Sequence, residues 1–102
     1  MKYKGYEVIL MTNEYNNGRL ALQLIDAEEY LPFATCTVNI PEEDLAEDEV
    51  FIKNWSENQG MLGWLQDQNL IEEVVGEVRT GFTTAPKVKL NMNRIKELKG
   101  GE

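Results

Sequence analysis

Asn17-Gly18-Arg19-Leu20-Ala21-Leu22-Gln23-Leu24-Ile25-Asp26 is the stretch that decides the fold. Leu20, Leu22 and Leu24 recur with a period of two, so all three share one face of an extended strand over residues 20–26. Asn17-Gly18 ahead of it suits the positive φ angles of a tight hairpin. Working back from that turn, Tyr6-Glu7-Val8-Ile9-Leu10-Met11-Thr12 is rich in β-formers and reads as the preceding strand, linked by residues 13–18. Working forward, residues 26–32 form a polar connection. Residues 33–40 then alternate again, Ala34, Cys36, Val38 and Ile40 against Phe33, Thr35, Thr37 and Asn39. Three consecutive strands with short links predict an antiparallel meander.

Pro41 ends the third strand because it has no N–H for the ladder. Glu42-Glu43-Asp44-Leu45-Ala46-Glu47-Asp48-Glu49 then places six acids in eight residues. Such a run repels itself and belongs in a loop, with Leu45, Val50, Phe51 and Ile52 tethering it to the body. Ser56 reads as a helix N-cap. Met61, Leu62, Trp64 and Leu65 follow at helical spacing, which predicts a helix over residues 57–68, weakened by Gly60 and Gly63. From Leu70 to Asn91 the pattern is β again, interrupted at Ala85-Pro86. Asn91 or Asn93 caps a short final helix through Leu98, stopped by Gly100-Gly101. The predicted class is α+β: one domain over residues 1–102, an antiparallel meander sheet of about four to five strands covered by one helix, and a short C-terminal helix.

The 102 residues carry a formal charge of -8, distributed unevenly. Residues 1–78 hold 16 acids and four bases, whereas residues 79–102 hold six bases and two acids. An acidic body with a basic tail repels phosphate backbones over most of its length and attracts a basic partner. The N-terminal residues show no signal-peptide core and no apolar run reaches membrane-spanning length, so a cytoplasmic protein that does not enter a membrane is expected. The sequon at Asn54-Trp55-Ser56 carries little weight without a secretion signal.

The chemistry-bearing residues are few. With no histidine, a His-based nucleophile is excluded, and one cysteine without histidine is a poor ligand set for zinc. Cys36 alternates with Ala34 and Val38 and reads as a buried thiol. Gly60-Met61-Leu62-Gly63 lacks the lysine of a phosphate loop. The acidic run lacks the spacing and glycine of a calcium-binding loop. Glu97-Leu98-Lys99 matches the end of some nuclease motifs but falls on a helix rather than a strand. No enzyme, cofactor or metal is therefore expected. The candidate partner-binding residues are Glu42, Glu43, Asp44, Glu47, Asp48 and Glu49, with Trp55 beside them as an exposed anchor. Trp64, at helical spacing with Met61 and Leu65, reads as core. Lys87, Lys89 and Arg94 are the candidates for contact with nucleic acid, against the plainer reading that they solvate an edge strand and a terminal helix.

The segments Asn17-Gly18-Arg19-Leu20-Ala21-Leu22-Gln23-Leu24 and Pro32-Phe33-Ala34-Thr35-Cys36-Thr37-Val38-Asn39-Ile40-Pro41 resemble a family of small domains of unknown function. That family is found on plasmids, conjugative elements and phages. A weaker echo is Gly81-Phe82-Thr83-Thr84-Ala85-Pro86, where Thr83 and Ala85 replace the family's Cys and Tyr. The resemblance implies context rather than chemistry. Small acidic proteins of mobile elements often disarm host defence, and anti-CRISPR proteins of this size and charge bind the basic channels of RNA-guided nucleases. The leading expectation is an anti-CRISPR inhibitor whose carboxylates stand in for phosphates. The alternative is an accessory protein of plasmid or transposon maintenance that uses its basic segment on nucleic acid.

Overall fold

The computed structural model describes residues 1–100. Their strands form two four-stranded antiparallel sheets. The first joins β1 (Lys2–Tyr3), β2 (Tyr6–Glu14), β3 (Leu20–Asp26) and β4 (Pro32–Thr35) in sequence order. The second joins β5 (Thr37–Val38), β6 (Glu49–Ile52), β8 (Thr83–Leu90) and β7 (Ile71–Thr80), in that spatial order. Helix α1 (Met61–Asp67), preceded by a 3-10 turn at Ser56–Asn58, and helix α2 (Met92–Gly100) complete the α+β fold.

The meander stands where the leucine alternation places it. Leu10 pairs with Leu24 and Thr12 with Leu22, so the even residues of β2 and β3 share the inner face. The link between them is longer than a two-residue hairpin. Gly18 alone takes a positive φ, +82°, and its N–H donates to the Tyr15 carbonyl. Asn17 contributes through its side chain instead, its Oδ1 accepting the Arg19 N–H at 3.2 Å.

The single strand expected over residues 33–40 is two strands in two sheets. The joint is Cys36, whose N–H donates to Leu22 O in the first sheet while its carbonyl accepts from Lys53 N beside the second. Alternation continues through such a joint, so periodicity alone does not reveal it. Val50, Phe51 and Ile52, expected as loop tethers, are strand β6, and all three are buried. Ala85-Pro86 does not interrupt a strand: both lie within β8. The β6 ladder ends at Lys87, the residue that follows the N–H-less proline.

The helix starts later than expected. Ser56 has a φ of +55° and opens the 3-10 turn, and Gly60 stands at the α1 N-cap with no side-chain cap. At α2 the cap is Asn91, whose Oδ1 accepts the Arg94 N–H. The stop expected at Gly100-Gly101 falls partly outside the described residues. The main core draws Val8, Leu10, Leu22 and Leu24 from the first sheet, Val88 and Leu90 from the second, Met61 and Leu65 from α1, and Ile95 from α2. Trp64 packs against this core as expected. Its ring lies 5.0 Å from that of Tyr3, and its Nε1 donates to Lys2 O at 2.7 Å. A second, smaller cluster of Ile40, Phe51 and Ala85 is joined by Val38, Leu45, Trp55 and Val78.

Candidate functional site

The acidic run forms an irregular loop between β5 and β6. Its first half is fixed from the β2–β3 link. The Arg19 guanidinium donates from Nη1 to Ile40 O at 2.8 Å and from Nη2 to Glu43 O. Backbone carbonyls thus hold the cation. Leu45, at its centre, turns inward onto the second cluster. These two attachments leave Glu42, Asp44 and Glu47 exposed and Glu43 half-buried.

The second half of the run is engaged by the basic segment. Glu49 begins β6 and lies opposite Lys89 in the ladder. Its Oε1 accepts Ala46 N–H at 2.9 Å and lies 3.6 Å from Lys87 Nζ. Lys89 Nζ stands 3.9 Å from Asp48 Oδ2 and 3.6 Å from Glu72 Oε1. The acidic body and the basic tail, separate in sequence, therefore meet across the β6–β8 ladder. Each such pair is part-exposed and weak by itself, but together they compensate charge locally. Arg94 is engaged too, its Nε donating to Gln68 O at the end of α1 at 3.1 Å.

Of the seven candidate partner-binding residues, Glu42, Asp44 and Glu47 are exposed and Glu43 is half-buried. Asp48 and Glu49 are paired with lysines. Trp55, expected as an exposed anchor, is half-buried against Phe51, Ile40 and Ala85. Lys87, Lys89 and Arg94 all have intramolecular partners. An open cleft of about 390 Å³ lies between the β2–β3 link and the acidic loop, lined by Glu14, Arg19, Leu20, Leu45, Glu47 and Glu49 among others.

Two residues of the surface escaped the sequence reading. Arg19 is one of only four bases in residues 1–78, and that isolation was the available signal. Phe82 is fully exposed at the β7–β8 turn. Cys36 is fully buried, and burial pushes its thiol pKa up to about 12. Among the described residues no group of three or more acidic or cysteine side chains is placed to hold a metal ion, and no helix is long and apolar enough to cross a membrane.

A family model described as "Domain of unknown function (DUF4313)" matches residues 9–101. No curated protein and no solved structure matches the chain.

Proposed function

The chain belongs to the DUF4313 family of domains of unknown function, and from its surface we propose that it is a binding protein, not an enzyme, whose partner presents a basic face. The finer reading is an anti-defence protein of a mobile element, an anti-CRISPR inhibitor that engages an RNA-guided nuclease or its guide complex. One observation carries it. Glu42, Asp44 and Glu47 stand exposed on a loop that Arg19 of the β2–β3 link holds by its backbone carbonyls. A preformed acidic loop of this kind competes for a groove built to hold phosphates, and opposite charge raises the encounter rate.

The alternative, a protein that reads nucleic acid through its basic segment, has less support. Lys87 and Lys89 face carboxylates, and Arg94 is tied to Gln68 O. The experiment is DNA cleavage by a purified, guide-loaded Cas9-type nuclease with increasing amounts of this protein. Cleavage should fall in the presence of the wild-type chain and recover when Glu42, Asp44 and Glu47 are changed to Gln, Asn and Gln. No binding of the wild-type chain to the loaded nuclease, together with a mobility shift of free RNA or DNA, would replace this function with the alternative.

A further inference from the structure

β7 is the outermost strand of the second sheet, and β8 pairs with only one of its edges. Residues 72–77 are all exposed, Val74 and Val75 included. Among the described residues, no backbone hydrogen bond joins residues 72–80 to anything but β8. An open edge of this kind is a template for a further strand. Its two halves differ. Register shifts between Ile71 and Glu73 and between Val74 and Gly76 distort the first half, and Glu72 and Glu73 charge it, both devices that keep an edge from pairing. From Gly76 to Thr80 the register with β8 runs without a break.

Alternation assigns the outward groups of that straight half. Thr80 and Thr83 close a two-residue turn, so that pair exchanges hydrogen bonds, as do Val78 and Gly76 with their partners on β8. Glu77 and Arg79 then turn their N–H and C=O groups to the open edge. Pro86, opposite Glu77, has no N–H to give, as a pair that exchanges no bonds allows. The Glu77 and Arg79 side chains share one face of the strand. Both residues are exposed, and neither has an ion-pair partner among the described residues.

We propose that two copies of this chain pair antiparallel through residues 76–80 of β7, with the two-fold axis at Val78. In that register Glu77 of each copy lies opposite Arg79 of the other, so one contact repeats as two opposite-charge pairs. Val78 meets its own copy between them, and no glutamate stands opposite a glutamate. A register that uses more of the strand crosses the bulge at Val75, where alternation breaks. Centred on Val75, it sets Glu73 against Glu77. The edge is thus complementary to itself in the one stretch that is straight enough to pair, which favours a second copy over an unrelated strand. Five residues a side fall short of the roughly 1,200 Å² that stable complexes bury, and the charge of -8 on each copy opposes association. The dimer is therefore weak and concentration-dependent. It does not depend on what the acidic loop binds.

The test is sedimentation velocity of the full chain from micromolar to millimolar concentration, with amide NMR spectra over the same dilution series. The wild-type chain should pass from monomer to dimer, and the signals of residues 76–80 should move with it. Glu77→Arg alone, or Arg79→Glu alone, sets like charges opposite each other at two places and should weaken the dimer about tenfold. The double exchange, Glu77→Arg with Arg79→Glu, restores opposite charges and should restore the dimer. All three variants should melt like wild type, since both positions are exposed. A chain that stays monomeric at millimolar concentration overturns the proposal and leaves the edge to a strand of another protein. A dimer that the single reversals leave intact, that the double exchange fails to restore, or whose NMR shifts fall outside β7 overturns it too.

Discussion

Arg19 donates to the carbonyl oxygen of Glu43, 24 residues further along the chain, and so sets a cation inside the most acidic segment without neutralising any carboxylate there directly. The loop's shape and its charge are therefore controlled by different atoms. Replacing Arg19 with Met should release residues 40–43 and cost roughly 1.5–3 kcal/mol, the range for hydrogen bonds to charged groups. Arg19→Lys should recover little, because one ammonium does not reproduce the two-pronged geometry. Urea denaturation gives the energy, and hydrogen exchange over residues 41–48 shows whether the loop is what loosens. Unchanged exchange there would mean the loop holds its shape without Arg19.

Charge and stability should separate within the acidic run. Changing Glu42, Asp44 and Glu47 to their amides should leave the melting temperature nearly unchanged, since exposed substitutions usually fall within about 0.5 kcal/mol. The same change should slow association with a basic partner and flatten its salt dependence. Neutralising Asp48 and Glu49 should instead cost up to about 1 kcal/mol and affect association less, because Lys89 and Lys87 already face them. Stopped-flow association and thermal melting of both variants decide the matter, and equal effects would refute the division.

Cys36 should not react with thiol reagents in the native protein and should react once urea unfolds it. It also gives a pH dependence with a definite sign. Its folded pKa lies near 12 against about 9 for the free thiol, so the unfolded chain loses that proton first. Above about pH 9 the folded state holds more protons than the unfolded one, and stability falls with rising pH until about pH 12. The slope is on the order of 1 kcal/mol per pH unit. Cys36→Ala should remove this slope from the alkaline limb of the denaturation profile. An unchanged slope would show that other groups produce it.

The Tyr3 hydroxyl is buried and meets no hydrogen-bond partner among the described residues. Its ring, by contrast, packs edge-on against both Phe33 and Trp64. Tyr3→Phe should therefore be neutral or stabilising by up to about 1 kcal/mol. Tyr3→Ala should cost roughly 3–5 kcal/mol through the cavity it leaves. Chemical denaturation of the two variants checks both, and a destabilising Tyr3→Phe would reveal a hydrogen bond to the hydroxyl.

The first sheet was largely legible because its signals are local. The leucine alternation, the glycine at position 18 and the short links all act within a few residues. The second sheet depends on partners distant in sequence, which local patterns do not encode. Val50-Phe51-Ile52 is too short to declare a strand and is hidden behind the acidic run until Val88 pairs with Val50. Cys36 marks a change of sheet that leaves the alternation intact. At the site, composition identified the acidic loop but not which acids remain free, since Lys87 and Lys89 reach it only through the fold. Trp55 and Phe82 are both aromatic among polar neighbours, and only packing makes one half-buried and the other fully exposed.

The order of elements along the chain also bears on how the protein is made. The first sheet is complete once Thr35 has left the ribosome, because its strands pair with their neighbours in sequence. Its inner face, however, finds Met61, Leu65, Val88 and Ile95 only later. β6 meanwhile waits for β8, with all of α1 and β7 between them. For that interval Leu10, Leu22 and Leu24 present a bare apolar sheet, and β6 lacks its β8 partner. Such exposure invites aggregation during synthesis, since non-local pairing must await the whole loop. The acidic run follows the first sheet directly: once it has emerged, residues 1–49 carry 11 acids against three bases, and charge of one sign opposes association between nascent chains.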